Sequence, residues 1–249
     1  MDLGIAGRTA AVAAASAGLG LGTAQALAEA GVRVAICGRR PDRVDAAVAS
    51  LTGEGHVGLT LDVSDAEGGR GFVEAATDAL GPIDILVCNA GGPPPGTFGQ
   101  MTPEDFPAAL ALNLLSTVAM TYAAMPSMRE RGWGRVLAIT SISVRQPLPN
   151  LILSNTSRAG VTGFLKTVAL EVAGDGVTVN TIQPGSHRTA RMGQLDEAGL
   201  EAVARSIPVG FIGDAGDFGR AAAFLCSESA RFITGASLHV DGGAYKALQ

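Results

Sequence analysis

The chain has 249 residues, 47% hydrophobic and 16% charged, with a formal net charge of −5 and a mean hydropathy of +0.30. That length carries one sizeable domain with a well-buried core, and the hydrophobic share excludes a disordered chain. The acidic balance, with a pI of about 5.2, excludes a general nucleic-acid surface, which needs a basic excess.

The uncharged apolar run 9–15 predicts a central strand. It breaks at Ser16-Ala17-Gly18-Leu19-Gly20-Leu21-Gly22 and continues as a helix that Gly31 stops. Residues 32–37 predict a second strand, Pro41 opens a helix reaching about Leu51, and 57–61 form a third strand ending at Asp62-Val63. Ser64, with Glu67 three residues on, has the spacing of a capping box. A fourth strand over 83–88 is followed by Asn89-Ala90-Gly91-Gly92 and three prolines. Thr102-Pro103 starts a helix with proline in its first turn; its patterning runs to about Arg131, and Pro107 and Pro126 should interrupt or bend it.

Residues 136–139 predict a fifth strand that stops in hydroxyls, Thr140-Ser141-Ile142-Ser143. Ser154 then opens a long helical pattern, in which Ser154 and Arg158 share one face. A sixth strand over 177–182 ends at Gln183-Pro184-Gly185, and the irregular stretch 185–208 is a candidate substrate lid. Residues 214–226 read as a late helix and Ser237–Val240 as a last strand. Strand and helix alternate with short connections. The expectation is an α/β, single-domain, doubly wound parallel sheet of about seven strands over residues 1–249, with helices on both faces.

The low charged share, against about 25% ordinarily, leaves apolar surface to cover and points to a homo-oligomer. Cysteines 37, 88 and 226 have neither paired nor metal-like spacing, and buried reduced thiols are expected at Cys37 and Cys88. There is no metal-binding cluster. The start Met1-Asp2-Leu3-Gly4 lacks the basic and apolar regions of a signal peptide. No window offers about 18 consecutive apolar residues. A cytoplasmic protein without a membrane partner is expected.

Ligands of such sheets bind outside the carboxyl ends of the strands. There this chain places Ser16, Gly18, Leu19 and Gly20, then Arg39, then Asp62 and Val63, then Asn89, Ala90 and Gly91, and finally Ser141, Pro184 and Gly185. The first turn brings backbone N–H groups and a helix N-terminus together, a seat for a pyrophosphate. Enzymes that take NAD usually place an acid after the second strand, whereas an arginine accommodates the 2′-phosphate of NADP(H). Here the sequence is Cys37-Gly38-Arg39-Arg40, with no acid. The alternative is two solvated arginines at a helix start.

With Asn113 and the closing Val240-Asp241-Gly242-Gly243 added, these residues make the whole chain resemble the short-chain dehydrogenase/reductase family. The resemblance implies a Rossmann fold and an NADP(H)-dependent oxidoreductase that interconverts a carbonyl and a hydroxyl on a small organic substrate. It also implies a homotetramer or dimer, built through the long fourth and fifth helices. Asp62-Val63 would flank the adenine, Asn89-Ala90-Gly91 would line its ribose, and Pro184, Gly185, His187 and Thr189 would hold the nicotinamide end. Asn113, Ser141, Ser154 and Arg158 would stand at the catalytic positions, with Arg158 also on the cofactor ribose.

Two departures stand out. Ala14 replaces the first glycine of the family's turn, and Ser154-Asn155-Thr156-Ser157-Arg158 replaces its Tyr-x-x-x-Lys. A tyrosine starts near pKa ~10, whereas an aliphatic hydroxyl resembles water at about 15.7. At about 1.36 kcal/mol per unit, full proton transfer from serine costs roughly 8 kcal/mol more. Arg158 stays protonated and cannot relay a proton. Core or interface packing is expected for Tyr122 and Tyr245, and structural roles for His56 and His239. His187 is either a partly exposed loop histidine or an acid/base group. Two functions follow: hydride transfer with a proton from water held by Ser154, Arg158 or Asn113, or from His187; or a ligand-binding, regulatory or non-redox use of the fold.

Overall fold

Among the described residues, short runs of β-branched and small apolar residues form seven strands: β1 Thr9–Val12, β2 Arg33–Gly38, β3 Val57–Thr60, β4 Ile85–Cys88, β5 Gly134–Ile139, β6 Val177–Pro184 and β7 Ser237–Val240. The structure is a computed structural model that describes residues 2–189, 192–193 and 195–248. Every strand pairing is parallel, in the order β3-β2-β1-β4-β5-β6-β7. The order reverses between β1 and β4, where Ala11 pairs with Ala35 on one side and Leu86 on the other. A crevice for a ligand opens at such a switch point.

The helices are α1 Gly18–Glu29, α2 Pro41–Ala49, α3 Ala66–Leu80, α4 Phe106–Leu110, α5 Ser116–Glu130, α6 Ile152–Val172, α7 Glu197–Ser206 and α8 Ala215–Leu225. Successive strand residues face opposite ways, so the sheet builds two core layers. On one face Val12, Ile36 and Ile182 pack with Leu27 of α1 and Phe218 of α8. On the other, Ala11, Leu86 and Val136 pack with Phe72 of α3, Met120 of α5 and Leu165 of α6. Helices α1 and α8 touch backbone to backbone. A Cβ on Gly219 would collide with the Gly22 carbonyl, and one on Gly22 with the Ala215 carbonyl.

Several local expectations move. The side chain that caps α3 is Asp65, whose Oδ1 accepts from the Gly68 amide at 2.8 Å; Ser64 instead donates its amide to Asp62. Pro107 falls in the first turn of α4, where proline costs nothing, and Pro126 lies within α5 without ending it. Between α4 and α5 the backbone widens into a π turn, Ala111–Leu115. The stretch 185–208 contains α7, so it is not wholly irregular. Tyr122 is 71% exposed and leans on Phe164, so it is not a core residue; Tyr245 stacks on His239. The thiols of Cys37, Cys88 and Cys226 are buried, and burial pushes each up to about 12.

Pro103–Glu130 is long and apolar enough to cross a membrane by length and composition, with a mean hydropathy of 1.5. In this fold 44% of that apolar window is buried, and Met120, Ala124 and Met128 belong to the core under the sheet. Its buried face packs into that core.

Gly219→Ala should lower stability by about 1–3 kcal/mol in urea unfolding, since the new methyl meets backbone that cannot move aside. Gly71→Ala, in α3 with open space around it, should raise stability by roughly 0.5–1 kcal/mol.

Candidate active site

The strand ends open into one cleft of about 900 Å³. At the end of β1 the chain turns through 13–17 into α1. The α1 N-cap is Ala17, with no side-chain cap and no acid in the first turn. The first N–H groups of α1 therefore face the cleft without a side-chain acceptor, which suits an anion. Ser16, Gly18, Leu19 and Gly20 line this part. Gly18 has φ +60, and a Cβ on Gly20 would stand 2.8 Å from Asn89 Nδ2 and 2.9 Å from the Ala14 carbonyl.

Ala14 itself has φ +46, in the left-handed region that costs an L-residue about 1–2 kcal/mol. The turn is held nonetheless. Asn89 Nδ2 donates to the carbonyls of Ala13 at 3.2 Å and Ala14 at 3.1 Å, and the Ala14 amide donates to Cys37 Sγ at 3.3 Å. Asn89 thus ties the end of β4 to the turn after β1.

At the end of β2 the two arginines part. Arg40 Nη2 pairs with Asp42 Oδ2 at 2.6 Å, whereas Arg39 lines the cleft, as do Asp62 and Val63 after β3. Among the described residues Arg39 has no ion-pair partner.

The far end of the cleft is built from β5, α6 and the segment after β6. Ser141 caps a short 3-10 turn, its Oγ accepting from the Ser143 amide at 3.1 Å. Ser141, Ser154 and Arg158 all line the cleft, with Ala90, Gly91, Pro184, Gly185, His187 and Thr189. Arg158 is 9% exposed. Its Nη1 donates to the Ile139 carbonyl at 2.9 Å, and its Nη2 to the Ala90 and Gly91 carbonyls at 3.4 Å each.

Asn113 is the predicted site residue that does not line the cleft. It lies 2% exposed in the π turn, where Nδ2 donates to the Gly91 carbonyl at 2.9 Å and Oδ1 accepts from Ser157 Oγ at 3.0 Å. Both ends of its amide are engaged, so it positions the β4 end from behind.

His187 is buried, contrary to the partly exposed loop histidine considered above. Its Nδ1 lies 3.2 Å from the Gly185 carbonyl, an acceptor only, so Nδ1 carries the proton. The ring meets Phe218 edge-on with centroids 5.2 Å apart, and a Cβ on Gly213 would come 2.8 Å from its Nε2. Burial pushes its imidazole below the usual range, opposed by the Gly185 hydrogen bond and by Asp214, Asp217 and Asp241. A neutral ring whose N–H is spent on a carbonyl is a poor acid for a substrate.

Apolar side chains that no motif signalled also line the cleft: Pro95, Leu112, Ile142, Leu148, Leu151 and Met192. They lie in or beside the segments after β4, β5 and β6, where apolar residues stand among polar ones.

Residues 13–245 match the family described as enoyl-(acyl carrier protein) reductase. The human dehydrogenase/reductase SDR family member 4 is 35% identical over 244 residues, covering 96% of this chain and 88% of its own. This chain belongs to the short-chain dehydrogenase/reductase family. L-sorbose reductase from Gluconobacter frateurii, solved with NADPH and L-sorbose, superposes with a TM-score of 0.91 at 30% identity over 100% of both chains. A 7α-hydroxysteroid dehydrogenase solved with NADH and 7-oxo glycochenodeoxycholic acid gives 0.91 at 28%, over 100% of this chain and 98% of that one. The fold and the oxidoreductase family are therefore those the motifs implied, and the relatives span both nicotinamide cofactors.

Ala14→Gly should raise stability by about 1 kcal/mol by relieving the left-handed alanine, read as a higher denaturation midpoint at unchanged m-value. The depressed imidazole of His187 sets a pH dependence. The unfolded chain takes up that proton below about 6.5 while the folded one resists, so the associated stability is present above 6.5 and is lost as pH falls below it. His187→Asn should show a shallower loss of melting temperature between pH 7 and 5 than the parent; an identical slope would exclude this origin. His239, shifted the same way by burial, contributes separately in both proteins.

Proposed function

We propose that this protein is an NADP(H)-dependent oxidoreductase that interconverts a carbonyl and a hydroxyl on a small organic substrate, with its proton drawn from water. The observation that carries the cofactor reading is the uncapped α1 N-terminus beside Arg39, at the two places where pyrophosphate and 2′-phosphate would sit. The residues fit such a group: Gly18 and Gly20 leave the turn open, Asp62, Val63, Asn89, Ala90 and Gly91 continue the wall, and Pro184, Gly185, His187 and Thr189 close the far end. Bound there, NADP(H) supplies or accepts the hydride.

The chain's own residues then have distinct tasks. The Ser143 amide occupies one lone pair of Ser141 Oγ, which leaves the Ser141 hydroxyl proton to point at a substrate oxygen. Arg158 fixes a positive charge beside the reacting centre and favours a developing alkoxide, but it keeps its proton. Ser154 occupies the tyrosine position without a tyrosine's acidity. Its short side chain leaves room for a water that it and Ser141 could hold, and that water passes the proton. The apolar face carrying Tyr122 and Phe164 supports a homo-oligomer.

A second reading, ligand binding in this fold without hydride transfer, is favoured by the same Ser154. The two separate cleanly. On the first, NADPH binds at least ten-fold tighter than NADH, Arg39→Ala removes that margin (about 1.4 kcal/mol), and a panel of carbonyl compounds oxidises NADPH. Ser154→Tyr combined with Arg158→Lys should then raise turnover at least ten-fold. NADPH binding with no turnover in the parent, and turnover only in the double variant, would establish the second.

A further inference from the structure

The half of the cleft beyond the cofactor wall is apolar, and its two loops are stitched together. The Gly96 amide donates to the Asn150 carbonyl at 2.6 Å and the Ile152 amide to the Gly96 carbonyl at 3.3 Å, so the loop after β4 and the loop before α6 form a short parallel bridge between Gly96 and Leu151. A Cβ on Gly96 would collide with the Met101 side chain, so the bridge is backed by packing. It sets Pro95 and Leu151 into the cleft wall, joined by Leu112, Ile142, Leu148 and Met192.

Among the described lining residues the charged side chains are Arg39, Asp62 and Arg158. The first two stand at the ends of β2 and β3, on the far side of the switch point from this wall. The guanidinium of Arg158 is engaged by the carbonyls of Ile139, Ala90 and Gly91. His187 spends its N–H on Gly185. The neutral polar side chains lining this end are the hydroxyls of Thr140, Ser141, Ser154, Ser186 and Thr189. A carboxylate or phosphate seated against the apolar wall would lose its hydration and, among the described lining residues, meet no cation on that wall, whereas apolar substituents gain from burial there.

We infer that the substrate is an uncharged carbonyl or hydroxyl compound with an apolar body, and that Leu148 and Leu151 determine this specificity. The inference rests on the proposed function for the identity of the reacting end, but its test reads binding as well as turnover. The probes are 4-methylcyclohexanone and 4-oxocyclohexanecarboxylate, which differ only in the group that would meet the wall. Each is titrated calorimetrically into the protein loaded with NADP+, and each is offered as oxidant of NADPH.

The methyl compound should bind at least ten-fold tighter than the carboxylate. Leu151→Lys and Leu148→Lys should each shift that ratio at least ten-fold towards the carboxylate, with NADPH affinity measured in parallel to show that the variant is folded. Equal or tighter binding of the carboxylate by the parent overturns the inference. So does failure of both ketones to bind, or a ratio unmoved in both lysine variants that still bind NADPH. Preferential binding of the methyl compound without NADPH oxidation would uphold the substrate class while removing the hydride-transfer reading; turnover with a preference for the carboxylate would do the reverse.

Discussion

The site depends on one constraint, the convergence of buried donors on the carbonyls at the ends of β4 and β5. Arg158 reaches from α6 to Ile139, Ala90 and Gly91, and Asn113 reaches from the π turn to the same Gly91 carbonyl. Asn89, between these strands and the glycine turn, draws Ala13 and Ala14 towards β4. Backbone groups at strand ends have lost their sheet partners and must be satisfied elsewhere. Here their satisfaction fixes the walls of the cleft. Removing every donor at 158 would leave buried carbonyls unpaired, so Arg158 has a structural task as well; a lysine there keeps three N–H donors.

That constraint explains how two departures from the family's motifs coexist with an intact cleft. Ala14 occupies a left-handed turn at a cost of about 1–2 kcal/mol, and hydrogen bonds from Asn89 to Ala13 and Ala14 and from Ala14 to Cys37 hold the turn. On the proposed reading Ser154 stands where the family has a tyrosine, and its side chain is not among the donors that Arg158, Asn113 and Asn89 supply to these carbonyls. A binding site of this kind can keep its cofactor geometry while its chemistry changes, which is why water-borne proton delivery is compatible with everything else the residues do.

Much of this was legible from residue order because doubly wound sheets put function at strand ends, and strand ends are marked by where apolar runs stop. Arg39, Asp62, Asn89, Ser141 and Pro184 all follow such stops, and all reach the cleft. What escaped depends on three-dimensional detail. Asn113 resembles a cleft residue by motif, yet the π turn directs its amide to Gly91 and Ser157. Ser64 and Asp65 are both good caps, and only the backbone geometry chooses Asp65. The burial of His187 comes from Phe218 and Gly213, 31 and 26 residues away along the chain. The apolar wall has no motif because its members come from the π turn and from separate segments after β4, β5 and β6.

The most direct test is steady-state NADPH oxidation by Ser154→Ala beside the parent, with a carbonyl substrate that the parent turns over. If Ser154 only helps to hold a water, as the roughly 8 kcal/mol acidity gap argues, the variant retains turnover within about ten-fold, or about 1.4 kcal/mol of barrier. A loss of a thousand-fold or more with NADPH still bound would make the serine hydroxyl the proton donor and contradict the account.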